Sequence, residues 1–296
     1  MTTLPLPPKP CALCSAVAPL EDSHLISQFV YRWLKDTSGT GFLRFGPAIN
    51  RRVQDGITVP LLCGACEDRF CAWEAKFARL VFHPFVGGKL GIVKYDDWLL
   101  KFAVSVCWRI LEDAHRENRL GHFWGRWSAQ LPSCRETWKR FLLGVRQDVG
   151  EHHVHMLPWD GIIGGDGPTL PTNINRYLRR AVEMDVACSD DEAFVYAKLG
   201  PILLFGMIGY PGPKQWRGTR IHLEGKLKPR DFLAPAQYRD YIFRRAQRMA
   251  ELESQISPRQ LQKITDTTKP DRLAGSGTYT ATEMDYRLFG DTTFRK

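Results

Sequence analysis

Apolar residues along the chain change their period several times, and each change predicts an element. After Cys66, the residues Phe70, Trp73, Phe77, Leu80 and Val81 recur at steps of three and four, which predicts a helix opening at that cysteine. Leu99, Phe102, Ala103, Val106, Cys107, Ile110, Leu111 and Ala114 sustain the same period, with Asp96 and Asp97 as caps. Ser133 and Glu136 have capping-box spacing before Trp138, Phe141, Leu142 and Val145, so a further helix is expected to start there. Past residue 180 the period falls to two. Val182, Met184 and Val186 alternate, and Phe194, Tyr196 and the apolar run at 200–208 predict more strands. "TRIHLEGKLKP" reads as another hairpin arm. Pro235 opens a helix carrying Tyr238, Tyr241, Ile242, Met249 and Leu252, and Ser257-Pro258 opens a short one.

Turn-forming segments divide these elements into units. Ser27 is placed to cap a helix with Phe29, Val30, Trp33 and Leu34, "DTSGTG" breaks the chain, and "GITVPLLC" reads as a strand running into a cysteine pair. "FHPFVGGKLG" marks a boundary near residue 86. Residues 150–175, including "IIGGDGPTLPTN", read as loop, and the chain from about 267 is polar and reads as a flexible tail. The expected architecture is α+β: a cysteine-bearing unit at 1–86, a mixed helical and antiparallel-strand body at 87–266, and a tail at 267–296.

Composition narrows the setting. With 44% hydrophobic and 25% charged residues the balance is that of a globular protein. The net charge of +9 favours polyanionic partners, nucleic acid first among them. "ILLFGMI" at 202–208 is too short to span a bilayer, and "MTTLPLPPKP" has neither the charged nor the apolar region of a signal peptide. The expectation is a cytoplasmic protein without a membrane partner. In that reducing compartment, paired cysteines hold metal more often than they form disulfides.

Cys11/Cys14 and Cys63/Cys66 are two C-x-x-C pairs. Two residues between thiolates let both reach one ion, and two such pairs complete a tetrahedral structural zinc site. Strand, cysteine knuckle and helix around Cys63 and Cys66 form the half-site arrangement of a treble-clef finger. Cys71, Cys107, Cys134 and Cys188 fall singly within predicted elements and read as core residues.

The order "CALC", then "SHLIS", then "LLCGAC" opening a helix resembles the zinc-containing HNH endonucleases (the His-Me, or ββα-metal, finger) over roughly residues 9–83. The resemblance implies structural Zn2+ on the four cysteines and a metal-dependent nuclease site hydrolysing phosphodiester bonds in DNA. His24 matches the general base, a role that suits an imidazole near neutral pH. The family's metal-binding Asp before the histidine is replaced by Ser23, with Asp22 one residue further back. The helix position after the second cysteine pair is Glu67, an oxygen ligand acceptable to Mg2+ or Mn2+. The family's Asn that orients the histidine falls on Thr58, with Asn50 upstream as a substitute, and His83 is a weaker candidate for the same site. Arg44, Arg51 and Arg52, with Lys35, are placed to line phosphates beside the finger. The competing reading is a catalytically inactive zinc finger that binds nucleic acid or protein.

Two further features invite chemistry. His152, His153 and His155 cluster beside Glu151 and Asp160, and a solvated loop is the simpler reading than a metal site. "GGDG" at 164–167 lacks a following Lys-Ser/Thr and reads as a loop rather than a phosphate-binding one. Arg239, Arg244, Arg245 and Arg248 read as the solvated face of their helix.

Overall fold

The computed structural model describes residues 9–121, 123, 125–164, 170–209, 216–229, 232–268 and 270–294. Strand β1 (Leu20–His24) is followed by helix α1 (Gln28–Asp36), and a hairpin of β2 (Leu43–Phe45) and β3 (Ala48–Val53) leads to β4 (Thr58–Cys63). β4 runs directly into α2 (Gly64–Phe77), and a π-helical turn (Ala78–Phe82) joins it to the short α3 (His83–Val86). Next come β5 (Val93–Tyr95), α4 (Asp97–Arg116), α5 (Arg126–Leu142), β6 (Val154–Pro158) and α6 (Ile174–Arg180). β7 (Val182–Cys188), β8 (Ala193–Leu199), β9 (Ile202–Gly209) and β10 (Gly225–Leu227) follow. The chain ends with α7 (Ala236–Glu253), α8 (Pro258–Thr267), α9 (Pro270–Ala274), α10 (Gly277–Phe289) and a 3-10 turn (Gly290–Phe294). The first eight residues and 165–169, which hold most of the glycine-rich loop, lie outside the described residues. Among the described residues no helix is long and apolar enough to cross a membrane.

The alternating segment past residue 180 forms a meander. β7, β8 and β9 pair antiparallel and β6 adds to β9, giving a sheet in the order β6-β9-β8-β7. Gly200, at φ +61 in the two-residue turn between β8 and β9, supplies the left-handed conformation that such a turn requires. Both faces of the sheet are buried, which is why β8 and β9 read as nearly continuous apolar runs. Val195, Ala197, Leu204 and Ile208 share a core with α4 and α5, while Phe194, Tyr196, Phe205 and Met207 pack with α6 and α7. Helices therefore cover the sheet on both sides. Close packing on the α5 side needs glycine: a Cβ on Gly206 would stand 2.7 Å from Trp138, and one on Gly209 would stand 2.0 Å from Trp127. The cysteine-bearing part shares the first core, since Leu13, Ile26, Phe70 and Phe77 pack in the cluster that holds α4. Antiparallel sheets in a mixed α/β architecture are thus present.

Four expectations need correction. α5 begins at Arg126 and contains Pro132, because Trp127, Leu131, Cys134 and Trp138 all gain burial on one helical face, and that packing outweighs the proline. The segment 150–175 contains β6, whose five residues are all buried and so carry no period-two signal. β10 does not form a hairpin with a sequence neighbour; it pairs with β5 across the fold. The polar segment after 267 is helical and docked. Asp285 of α10 is fully buried, and its carboxylate accepts the backbone N–H groups of Asn175 (2.7 Å) and Arg176 (3.1 Å), capping α6 from a remote helix. Asp285→Ala is expected to destabilise the protein by roughly 2–4 kcal/mol, as for loss of a buried charged acceptor. Urea unfolding measures this, with faster amide exchange in α6 as the local signature.

Lys198 is fully buried, donating to the Leu178 carbonyl at 2.6 Å and also to that of Gly200. Burial lowers its pKa from 10.5 to about 7, against a weaker opposing pull from Glu183. The folded pKa lies below the unfolded one, so between pH 7 and 10.5 the unfolded chain holds a proton that the folded chain lacks. Stability from this site therefore rises with pH across that window. The stability of the wild type relative to Lys198→Met should increase by roughly 1.4 kcal/mol per pH unit through it. Urea titrations at pH 7, 8 and 9 check this, and a flat difference would show that Lys198 is charged in the fold.

Candidate functional site

The four paired cysteines converge. Their ligand atoms all lie within 4.8 Å of one another, and Cys14 Sγ is 3.6 Å from Cys63 Sγ. Thiolates on one tetrahedral zinc, each at roughly 2.3 Å, stand roughly 3.8 Å apart, so the donor set fits that ion. The first pair sits in a knuckle closed by Ser15 N–H donating to the Cys11 carbonyl and Cys11 N–H to that of Ala16, each at 2.9 Å. Ser15 takes φ 64 to make the turn, and Ala12 N–H bonds to Leu61 of β4 at 3.0 Å. The second pair is placed by the junction of β4 and α2, with Cys63 ending the strand and Cys66 in the first helical turn. Amide groups at that helix start favour thiolate charge. Among the described residues no other group of three or more His, Cys, Asp or Glu side chains converges in this way.

The strand that carries His24 pairs with β4. His24 lies opposite Thr58 and Ser23 opposite Val59, with a bulge between Glu21 and Asp22. Neighbouring strand residues face opposite sides, and the two sides hold different chemistry. Ser23 is fully buried and donates to Glu67 Oε2 at 2.9 Å, so these two candidates are brought together. His24 instead faces α1: its Nε2 is 3.2 Å from Asp55 Oδ1, and its ring lies 6.4 Å from that of Tyr31. Asp55 accepts from Gln28 Nε2 at 3.1 Å and from Gly56 N–H at 2.8 Å. Burial opposes ionisation of Asp55, but these bonds and the adjacent His24 outweigh it and hold its pKa below the ordinary value. The Tyr31 ring presses so closely on Gly56 that a Cβ there would stand 2.1 Å away.

Arg109, almost fully buried on α4, fixes the backbone at this point. Its Nη1 donates to the His24 carbonyl at 2.7 Å and its Nη2 to Glu74 Oε1 on α2 at 2.5 Å.

Other candidates fall elsewhere. Asp22 is exposed, and the Ser23–Glu67 contact does not include it. Asn50 does not orient His24, because its amide is used by the link between α7 and α8. Oδ1 accepts Ser257 N–H at 2.8 Å and Nδ2 donates to the Gln255 carbonyl at 3.2 Å. His83 packs edge-on against Phe29 and Phe82. The histidines at 152–155 are not a solvated loop. His152 and His155 are buried around β6, where His155 stacks on Trp216 at 4.2 Å and bonds to Thr219 through Nδ1 at 2.9 Å. Arg44, Arg51 and Arg52 lie on the β2–β3 hairpin, with Arg44 and Arg52 as register partners. On the late helix, Arg245 is ion-paired to Glu183 and Asp185 rather than only solvated.

Glu67 with Ser23 supplies one carboxylate and one hydroxyl, which is not an all-protein cage for Mg2+ or Mn2+. The zinc donors are complete by comparison. Asp55 was missed in the sequence because it carries no motif: an aspartate before a glycine reads as a turn.

No protein-family model, curated protein or solved structure matches this chain. The four-cysteine site stands on its geometry. Protein purified without added metal is expected to contain about one zinc per chain by elemental analysis. Cys63→Ser should lose that zinc and unfold the N-terminal part, since ion binding and folding of such sites are coupled. A stable, zinc-free Cys63→Ser protein with wild-type circular dichroism would contradict the assignment.

Proposed function

We propose that residues 9–83 are an HNH-like treble-clef finger whose zinc is structural, and that the protein hydrolyses phosphodiester bonds in nucleic acid, with DNA as the expected substrate. The observation that carries this reading is the His24–Asp55 pair. An imidazole at the end of β1 has a carboxylate 3.2 Å from its Nε2, in the loop between β3 and β4, within ion-pair distance but outside hydrogen-bond geometry. Turning the carboxylate to meet Nε2 would complete a base with its orienting partner. Asp55 takes the role that the resemblance gave to an asparagine. With Nε2 turned to Asp55, Nδ1 is the nitrogen left to take a proton from water. The resulting hydroxide would attack phosphorus, forming one P–O bond as the ester P–O bond breaks, and Asp55 would stabilise the imidazolium. A divalent ion in such a site supplies charge neutralisation at the phosphate. Glu67 would hold such an ion through the carboxylate oxygen not bonded to Ser23.

A second reading is favoured by a separate observation. Ser23 with Glu67 faces α2 while His24 with Asp55 faces α1, so base and ion donor do not share one side of β1. A finger of this kind that binds nucleic acid without cutting it is consistent with that division.

Cleavage of plasmid and linear DNA with magnesium or manganese separates the two. If His24 is the base, His24→Ala should lose at least ~100-fold in rate with unchanged zinc content. Asp55→Asn should lose at least ~10-fold, also with zinc retained. Retention of DNA without cutting under either ion establishes the binding module, and full activity of His24→Ala removes His24 from the mechanism.

A further inference from the structure

The β2–β3 hairpin concentrates cations, of which Arg44 spends only Nη1 on the fold, donating to the Ile49 carbonyl at 3.1 Å and to Gln260 Oε1 at 3.5 Å. Arg44 and Arg52 are cross-strand partners, and both guanidinium groups lie over the Phe42 ring, at 5.7 and 3.9 Å from its centroid. Like charges directly opposite on a sheet destabilise it. Arg109, Arg119 and Arg245 each have a carboxylate partner, but among the described residues none lies within ion-pair distance of Arg44 or Arg52. Arg44 Nη2 and both Nε and Nη2 of Arg52 are buried without an acceptor. Burial first, then the charge of Arg52, lowers the pKa of Arg44.

Further cations come from outside the hairpin. Arg272 of α9 reaches over Gly41, where a Cβ would stand 3.1 Å from its Nη1, and its Nη2 donates to the Lys35 carbonyl at 3.3 Å. Lys35 of α1 in turn donates from Nζ to the Gln54 carbonyl at 2.5 Å. Gln54 adjoins Asp55, the partner of His24.

We infer that Arg44 and Arg52 stacked on Phe42, joined by Arg272, form a phosphate clamp for the backbone of duplex DNA passing the His24 site. The inference rests on the nucleic-acid reading above and extends it to a second surface and to the C-terminal region. Guanidinium pairs suit phosphate because planar N–H groups meet its oxygens two at a time, and an anion relieves the repulsion between the pair. Contacts of this type position a polynucleotide without reading its bases.

The test uses the full chain carrying His24→Ala, so that DNA is not consumed, and a random-sequence duplex titrated at several salt concentrations. The double replacement Arg44→Gln/Arg52→Gln should weaken binding at least ~10-fold and reduce the slope of log affinity against log salt by about two. Arg272→Gln should reduce it by about one. The double variant should keep its zinc, and its thermal midpoint should stay level, because relief of the repulsion offsets the lost Arg44 bonds to Ile49 and Gln260. A structural role would lower the midpoint instead. An unchanged salt slope, a lower midpoint with unchanged binding, or no binding of duplex DNA by the parent overturns the clamp. Failure of the unmutated protein to cleave under magnesium or manganese, with an intact salt response, would remove the catalytic reading alone.

Discussion

Everything in the N-terminal part depends on closing the chain between Cys14 and Cys63. These residues are held with their sulfurs 3.6 Å apart, across an intervening strand, helix and hairpin. Closing so long a loop costs conformational entropy, and the strands inside it are short. β1 and β4 alone are a two-stranded pair, a form that is marginal in water. An ion on these four thiolates would be strong enough to hold the closure, because the binding energy of such a site acts as folding energy. Once the knuckle is fixed, Ala12 bonds to β4, β4 aligns β1, and His24 and Ser23 are set on opposite faces.

The N-terminal part is also tied to the body by a side chain. Arg109 reaches from the long central helix to the carbonyl of His24 and to Glu74, so one buried guanidinium joins α4, β1 and α2. Removing a buried cation from water is costly, and the arrangement holds because its N–H groups meet a carboxylate, the His24 carbonyl and the Ser105 carbonyl. The same helix packs against the four-stranded sheet. A core common to the finger and the sheet follows, and the histidine's backbone is tied to the most buried part of the protein.

Legibility in the sequence followed the range of the interaction. The cysteine pairs, β4, α4 and the strands of 182–208 were readable because their signals are local: fixed spacing, a period of 3.6, or a period of two. α5 was misread because Pro132 and the Ser133–Glu136 spacing are local signals that Trp127 and Trp138, seated over Gly209 and Gly206, override. The segment after 267 has few apolar residues. What orders it is a buried carboxylate meeting backbone amides more than 100 positions away, a contact with no local trace. Asp55 was invisible for the same reason. Its meaning comes from His24, 31 positions earlier by numbering, and only the register of β1 on β4 brings them together.

The division of charge around β1 decides how the site can be used. On one side Glu67 is committed to a buried serine hydroxyl, leaving its second oxygen as the acceptor that remains. On the other, Asp55 stays ionised beside His24, so that side carries negative charge unless the imidazole is protonated. A polyanion drawn only by His24 and Asp55 would meet repulsion. Cations from α1 and the hairpin lie on the chain segment that leads to Asp55, with Arg272 of α9 reaching the Lys35 carbonyl, and they offset that charge. The cationic hairpin and the imidazole–carboxylate pair at the strand end are therefore placed on connected but distinct residues. Under the proposed reading, that separation would let the N-terminal part hold a polyanion whether or not it cuts.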